Sequence, residues 1–177
     1  MIISTDILLP FPRSIVYATY RDKLDELIPY MRNIRSINAK SREVKNGVLV
    51  CVNEWHGGGE IPAVARTILS EEMLSWTEHN AWDDSSYKMN WKIETHAFTE
   101  AVHCAGENHF LDRNGATLVK SRGKLEIDAK EIKGVPFFIS KQIANLVEDF
   151  LSQKIEPNLK EMGEGVQQYL ESQAVQV

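Results

Sequence analysis

The chain has 177 residues, of which 43% are hydrophobic and 25% are charged, and its net charge is −5 at pH 7 with a pI near 5.6. The length suits one domain, over residues 1–171, followed by a polar tail at 172–177. The acidic balance argues against nucleic acid as a partner, because phosphate binding relies on Lys and Arg. The sequence has no signal-peptide pattern and no run of about 18 apolar residues, so we expect a cytoplasmic protein without stable membrane insertion.

The start of the chain predicts one strand and two short helices. Residues 2–9 are typical of a strand, and Pro12 suits the first position of a helix over residues 13–20. A second helix is predicted over residues 22–30, with Asp22 as its N-cap.

Residues 34–128 predict strands joined by turns. Asn114-Gly115 is a strong hairpin signal, and Asp83-Asp84-Ser85-Ser86 indicates another turn. The run Gly57-Gly58-Gly59 is not followed by the residues of a phosphate-binding loop, so we interpret it as a loop between strands. In a protein with an internal cavity, the same loop could also serve as a lid.

The C-terminal part predicts one long amphipathic helix over residues 138–170. Its apolar residues recur at spacings of three and four, which places them on one continuous stripe. Pro157 lies inside this helix and is expected to kink it. A run of strands followed by one long helix predicts an α+β domain, with the helix laid on an antiparallel sheet.

The turns also predict which side chains face the helix, because a hairpin turn fixes the register of its strands. Turns centred at 84–85, 99–100 and 114–115 place one inward-facing row across four strands. This row consists of Glu78, Trp91, Asn108 and Ser121. We interpret it either as a hydrogen-bonded row of the core or as a polar belt that orients a ligand in an apolar cavity.

The outward face provides a check on this register. It places Lys92 beside Glu107 and Glu107 beside Arg122, and opposite charges across a sheet stabilise it by about 0.2–1 kcal/mol per pair.

The inward face supplies the predicted ligand-contacting set. With three residues from the long helix, the set is Trp76, Glu78, Trp82, Tyr87, Met89, Trp91, Asn108, Phe110, Ser121, Ile143, Val147 and Phe150.

The sequence shows no independent catalytic or metal-binding motif, so we expect no metal and no cofactor. His96 and His103, with Glu126, could share an ion on the outward face, but they have no apparent second shell. Cys51 and Cys104 are far apart in the chain and are expected to be small buried side chains with free thiols.

A proline-marked passage near the start of the chain, residues 9–16 (LPFPRSIV), is followed by Asp22, Leu24, Leu27 and Pro29. This passage and the order of elements resemble the START/Bet v 1-like (SRPBCC) superfamily, which includes polyketide cyclases, lipid-transfer domains and coenzyme Q-binding proteins. The resemblance implies a helix-grip fold, in which a curved antiparallel sheet of six to seven strands wraps over the long C-terminal helix. It implies no catalytic residues, because these families share none. The proline inside the long helix and the length of that helix depart from the pattern and leave the subfamily open.

Three functions fit these expectations. The first is binding or transport of an apolar small molecule (a lipid, isoprenoid or polyketide-like compound) by a monomer or weak dimer, in a cavity of several hundred Å³. The second is a cyclase- or hydrolase-type enzyme that uses Glu78 as acid or base, because an apolar pocket raises the pKa of a carboxyl group. Arg66 could assist if it faces inward, which the sequence leaves open, as could Asn108. The third is a protein-interaction module with no ligand, which a collapsed interior and an exposed apolar patch would favour.

Overall fold

The computed structural model describes residues 1–58 and 74–174 and confirms the predicted α+β helix-grip architecture. Within these residues, seven antiparallel strands form one curved sheet in the order β1-β7-β6-β5-β4-β3-β2. The strands are β1 (Ile2–Leu9), β2 (Ile34–Lys45), β3 (Val48–Gly57), β4 (Ser75–Asp83), β5 (Lys88–Thr95), β6 (Val102–Arg113) and β7 (Ala116–Ile127).

Three α-helices accompany the sheet in the described part of the chain. They are α1 (Arg13–Asp22), α2 (Leu24–Leu27) and α3 (Phe137–Ala174), and short 3₁₀ turns occupy Ile28–Tyr30 and Ala129–Glu131. The helix α3 has 38 residues, includes Pro157 without interruption, and packs against β1, β7 and the first two helices. It continues to Ala174, into the segment that the sequence predicted as a polar tail.

The prediction that Asp22 caps the second helix was wrong. Asp22 is the last residue of α1, and α2 begins at Leu24 without a side-chain cap. Its carboxylate instead forms ion pairs with Arg21 and Arg42. The charge pairing therefore joins the end of α1 to β2, and the second predicted helix is a single turn followed by a 3₁₀ turn.

The predicted register is confirmed for the β6–β7 hairpin. Asn108 pairs with Ser121 and Glu107 with Arg122. The turn has positive φ angles at both Asn114 (56°) and Gly115 (89°), which matches the type I′ turn that this dipeptide favours.

The predicted registers of the two preceding hairpins were wrong by two residues. Trp91 pairs with Asn80 and Gly106, not with Glu78 and Asn108, and Lys92 lies opposite Ala105. The β4–β5 and β5–β6 connections are both longer than two residues, and each contains a residue with positive φ, Tyr87 and Phe98. A shift of two residues keeps each side chain on the same face of the sheet, so the residues predicted to face inward still do so. The residues predicted to form one row across four strands, Glu78, Trp91, Asn108 and Ser121, are not all aligned with one another.

Gly106 and Gly123 face each other across β6 and β7. The indole of Trp91 packs against both of them. A Cβ atom built at Gly106 would lie 2.4 Å from Cζ2 of Trp91, and one at Gly123 would lie 2.6 Å from Cη2. The two glycines therefore form a depression in the sheet that the indole ring occupies.

Candidate functional site

A cavity of about 140 Å³ lies between the sheet and the middle of α3 in the described part of the chain. It is smaller than the several hundred Å³ predicted from the sequence, because aromatic and long aliphatic side chains of both layers extend into the space between them. Its sheet wall includes Trp55, Trp76, Glu78, Met89, Trp91, Ile93, Cys104 and Asn108, and its helix wall Phe150, Leu151, Lys154, Ile155, Asn158, Leu159 and Met162. Met31, Ile34, Leu74 and Val102 also contribute to its apolar lining.

Half of the predicted ligand-contacting residues line this cavity. They are Trp76, Glu78, Met89, Trp91, Asn108 and Phe150. Arg66, the predicted helper of Glu78, lies outside the described residues.

Three predicted aromatic residues lie elsewhere, in a solid cluster under α1. The ring of Tyr17 makes edge contacts with Trp82, Tyr87 and Phe110, at centroid distances of 5.3, 5.1 and 5.1 Å. Tyr20 adds a further contact to Phe110 at 5.2 Å. The two tyrosines of α1 thus fill the end of the inner face that the sequence assigned to the ligand.

The other three predicted residues are also not part of the cavity lining. Ser121 is buried opposite Asn108 on one side and Thr5 of β1 on the other. Val147 is buried in the main core, and Ile143 also packs against a small cluster around Ala101 and Ile132. The part of α3 before Phe150 therefore packs into the core, and the cavity borders the helix from Phe150 onward.

Sequence reasoning missed Trp55 and most of the helix wall. The burial pattern of β3 alternates, with Cys51, Asn53 and Trp55 buried, which is the period-two signal of an inward face. The apolar residues of the helix wall were in the predicted stripe, but its periodicity does not tell which turns of a helix border a void.

The two tryptophans Trp55 and Trp76 lie opposite each other on β3 and β4 and stack, with centroids 5.8 Å apart and ring planes 11° from parallel. Both indole Nε1 atoms are buried. That of Trp55 has no hydrogen-bond partner among the described residues, whereas that of Trp76 interacts with the Glu78 carboxyl and lowers its pKa. Trp91 differs, because its Nε1 donates a hydrogen bond of 3.1 Å to Oδ1 of the buried Asn108. The cavity wall therefore carries one indole donor, that of Trp55, with unused hydrogen-bonding capacity.

Among the described lining residues, Glu78 is the one carboxylic acid, and it lies between Asn53 of β3 and Ile93 of β5. Desolvation raises the pKa of its carboxyl group, and the polar groups of Asn80, Trp76 and His79 offset this only in part. The same environment raises the pKa of the Cys104 thiol to about 12, through burial first and the nearby Glu78 second. The thiol is thus protonated and unsuited to nucleophilic chemistry.

Two polar side chains of α3, one turn apart, face the same cavity. The Nζ atom of Lys154 lies 5.9 Å from the ring centroid of Phe150, and Lys154 forms no ion pair within the described residues. Oδ1 of Asn158 is buried without a hydrogen-bond partner in the same part of the chain.

The outward histidines do not form the metal site that the sequence raised as an alternative. His96 contacts the hydroxyls of Ser75 and Thr77 at 2.9 Å each, and His103 pairs with Glu126 across β6 and β7. Within residues 1–58 and 74–174, no group of three His, Cys, Asp or Glu side chains could hold a metal ion.

Comparison with known proteins identifies the fold. The sequence matches no protein-family model and no curated protein. Among solved structures, the chain is similar to the protein TTHA0849 from Thermus thermophilus, with 19% identity, a TM-score of 0.64 and coverage of 94% of this chain and 97% of that one. This chain has a START/Bet v 1-like fold.

Two further solved structures with this fold are named as enzymes. The Zhui aromatase/cyclase from Streptomyces sp. R1128 is 14% identical with a TM-score of 0.61, and 93% of each chain is covered. Norcoclaurine synthase from Thalictrum flavum is 12% identical with a TM-score of 0.59, over 96% of this chain and 86% of that one. None of the helices in the described residues combines the length and the hydropathy needed to cross a membrane.

Proposed function

We propose that the protein binds an apolar small molecule, such as a lipid, isoprenoid or polyketide-like compound, in the cavity between the sheet and α3. The observation that carries this proposal is a void lined mainly by apolar side chains that also exposes the unpartnered indole donor of Trp55. Protein interiors are normally close-packed, and a buried donor without a partner costs about 1–3 kcal/mol. A guest with one acceptor group would fill the void and satisfy this donor.

A similar solved structure that contains a small molecule supports this proposal. One of the similar structures is a norcoclaurine synthase variant in complex with a transition-state analogue, with a TM-score of 0.61 and 11% identity. An exposed apolar patch with a collapsed interior would have favoured the protein-interaction module, but the interior contains a cavity. We therefore do not propose the interaction module.

Filling the cavity from the helix side is expected to abolish binding. In Ile155→Trp the larger side chain would occupy the void, so we expect at least tenfold weaker binding of the neutral fluorophore N-phenyl-1-naphthylamine, measured by fluorescence titration. Gln153→Trp, at an exposed position of the same helix, is the matched control and should bind like wild type. Native mass spectrometry of freshly purified protein should show a bound small molecule in wild type and none in Ile155→Trp. Equal affinity in a folded Ile155→Trp variant would contradict the proposal.

A second candidate function is proton-transfer catalysis by Glu78, of the kind that a cyclase requires. It is favoured by the position of this carboxyl in the cavity wall and by its raised pKa. A positioned general acid or base typically accelerates a reaction by about 10²–10⁴-fold, and it is most efficient when its pKa lies near the working pH.

Proton exchange next to a carbonyl group tests this second candidate without knowledge of the substrate. In D₂O, the wild-type protein should accelerate deuterium incorporation into the methyl group of 2-acetonaphthone by about 10²-fold, measured by NMR. Glu78→Gln should lose this acceleration and still bind N-phenyl-1-naphthylamine. If the variant and wild type exchange at the same rate, Glu78 has no such role, and the binding proposal is unaffected.

A further inference from the structure

Several polar groups around the cavity can only donate hydrogen bonds, although Glu78 and Asn158 also carry acceptor oxygens. An indole N–H can only donate, and so can the ammonium group of a lysine. The cavity contains both kinds, in Trp55 and Trp76 on the sheet and in Lys154 on α3. A guest that complements Trp55 and Lys154 must therefore offer acceptor groups to them.

The charge of Lys154 is not neutralised by the carboxylates that neighbour it along α3. Glu148 is paired with the N-terminal ammonium group at 3.2 Å, Glu156 accepts a hydrogen bond from the backbone N–H of Ser4 at 3.0 Å, and Glu161 accepts one from that of Arg32 at 2.6 Å. Each of these side chains is engaged with another element. Lys154 is left as a partly buried cation that lines the cavity and has no ion pair among the described residues.

Asn158 adds a second polar group to the cavity wall beside Lys154. It follows Lys154 by one helical turn, so both side chains leave the same face of α3. An amide group can donate to an acidic oxygen or accept from its protonated form. The rest of the helix wall is apolar, from Phe150 to Met162, a span of about 18 Å along the axis.

We propose that the ligand is an amphiphilic anion: an apolar, preferably aromatic body with an acidic group that pairs with Lys154 beside Asn158. The body lies against Trp91 and Phe150, and an acceptor group meets the indole N–H group of Trp55. Hydrogen bonds between charged groups are about twice as strong as neutral ones, so the acidic group determines selectivity. This inference rests on the proposed binding function and adds the chemical class of the ligand.

Two fluorophores that share one body test the acidic group. 1-Anilinonaphthalene-8-sulfonate is N-phenyl-1-naphthylamine with an added sulfonate, so the ratio of their affinities isolates the contribution of the negative charge. Lys154→Met is expected to lower this ratio, sulfonate over neutral, by about tenfold, because it removes the cation and keeps the length of the side chain. Lys160→Met, at an exposed position of α3, makes the same change in net charge and should leave the ratio within about twofold of wild type.

The outcomes separate this inference from the binding proposal. A ratio that falls only in Lys154→Met supports an amphiphilic anion as ligand. An unchanged ratio in Lys154→Met, or an equal fall in both variants, overturns the inference while binding of the neutral fluorophore upholds the cavity function. If wild type binds neither fluorophore, the cavity function itself fails. Binding of the neutral fluorophore by each variant also shows that the cavity is intact.

Discussion

Replacing Gly106 with alanine is expected to lower the free energy of unfolding by about 3 kcal/mol, at the upper end of the range for overpacking. The added Cβ would lie 2.3 Å from the backbone oxygen of Arg122 and 2.4 Å from Cζ2 of Trp91. The backbone oxygen belongs to the β6–β7 ladder, so it cannot retreat without disturbing the sheet. The indole is 4% exposed and donates to Asn108, so its displacement would break a buried hydrogen bond. Denaturation in urea, monitored by circular dichroism, measures the loss.

Gly165→Ala is the matched control within α3. A Cβ atom there would lie 3.4 Å from Cβ of Tyr30, which is an ordinary contact. Alanine is favoured over glycine inside a helix by about 1 kcal/mol, so this variant is expected to be more stable than wild type. Wild-type stability for Gly106→Ala would show that the indole does not rest on the two glycines. Destabilisation of similar size in both variants would show that the effect is not specific to the sheet.

The faces of the sheet could be predicted from the sequence, but the alignment of its strands could not. Side-chain direction depends on a period of two, so an error of two residues in a turn leaves Glu78 and Trp91 facing inward while it changes their partners. The Asn-Gly dipeptide specifies a two-residue turn through the positive φ angles that it tolerates. Tyr87 and Phe98 also adopt positive φ, but nothing in such bulky residues signals this conformation. The sequence therefore contains no sign that the β4–β5 and β5–β6 connections are longer than two residues.

The position of the cavity also depends on information that periodicity does not contain. The apolar stripe of α3 predicted the buried face, yet Ile143 and Val147 seal the core while Ile155 and Leu159 border the void. Ile143 packs against Ala101 and Ile132, and Tyr17 of α1 fills the inner face beside Trp82 and Phe110, so both of these regions are solid. The turn Asn46-Gly47, with φ angles of 52° and 81°, carried the same hairpin signal as Asn114-Gly115 and could have led to Trp55 on β3.

Glu78→Gln is expected to stabilise the protein, by an amount that grows as the pH rises above about 4.5 and levels off above the native pKa of Glu78. Burial raises the pKa of Glu78 in the native state above the value of 4.5 for a solvated glutamate. Between these two pKa values the native state binds more protons than the unfolded chain, so raising the pH lowers wild-type stability through this interval. The loss is about 1.4 kcal/mol for each unit of difference and is complete above the native pKa. Glutamine does not titrate, so its variant avoids this loss.

Glu94→Gln on the outward face provides a control of opposite sign. A hydrogen bond from Lys92 and one from His79 lower the pKa of Glu94, so its carboxylate stabilises the native state above pH 4.5 and its replacement should become more costly as the pH rises. Urea denaturation at pH 4, 6 and 8 measures both variants against wild type. A stability difference for Glu78→Gln that does not change with pH would mean that Glu78 titrates like a solvated glutamate, and this would remove the physical basis for its role as an acid or base. A difference that grows with pH would show that the fold bears the cost of a desolvated carboxyl in its cavity wall, as a binding or proton-transfer site requires.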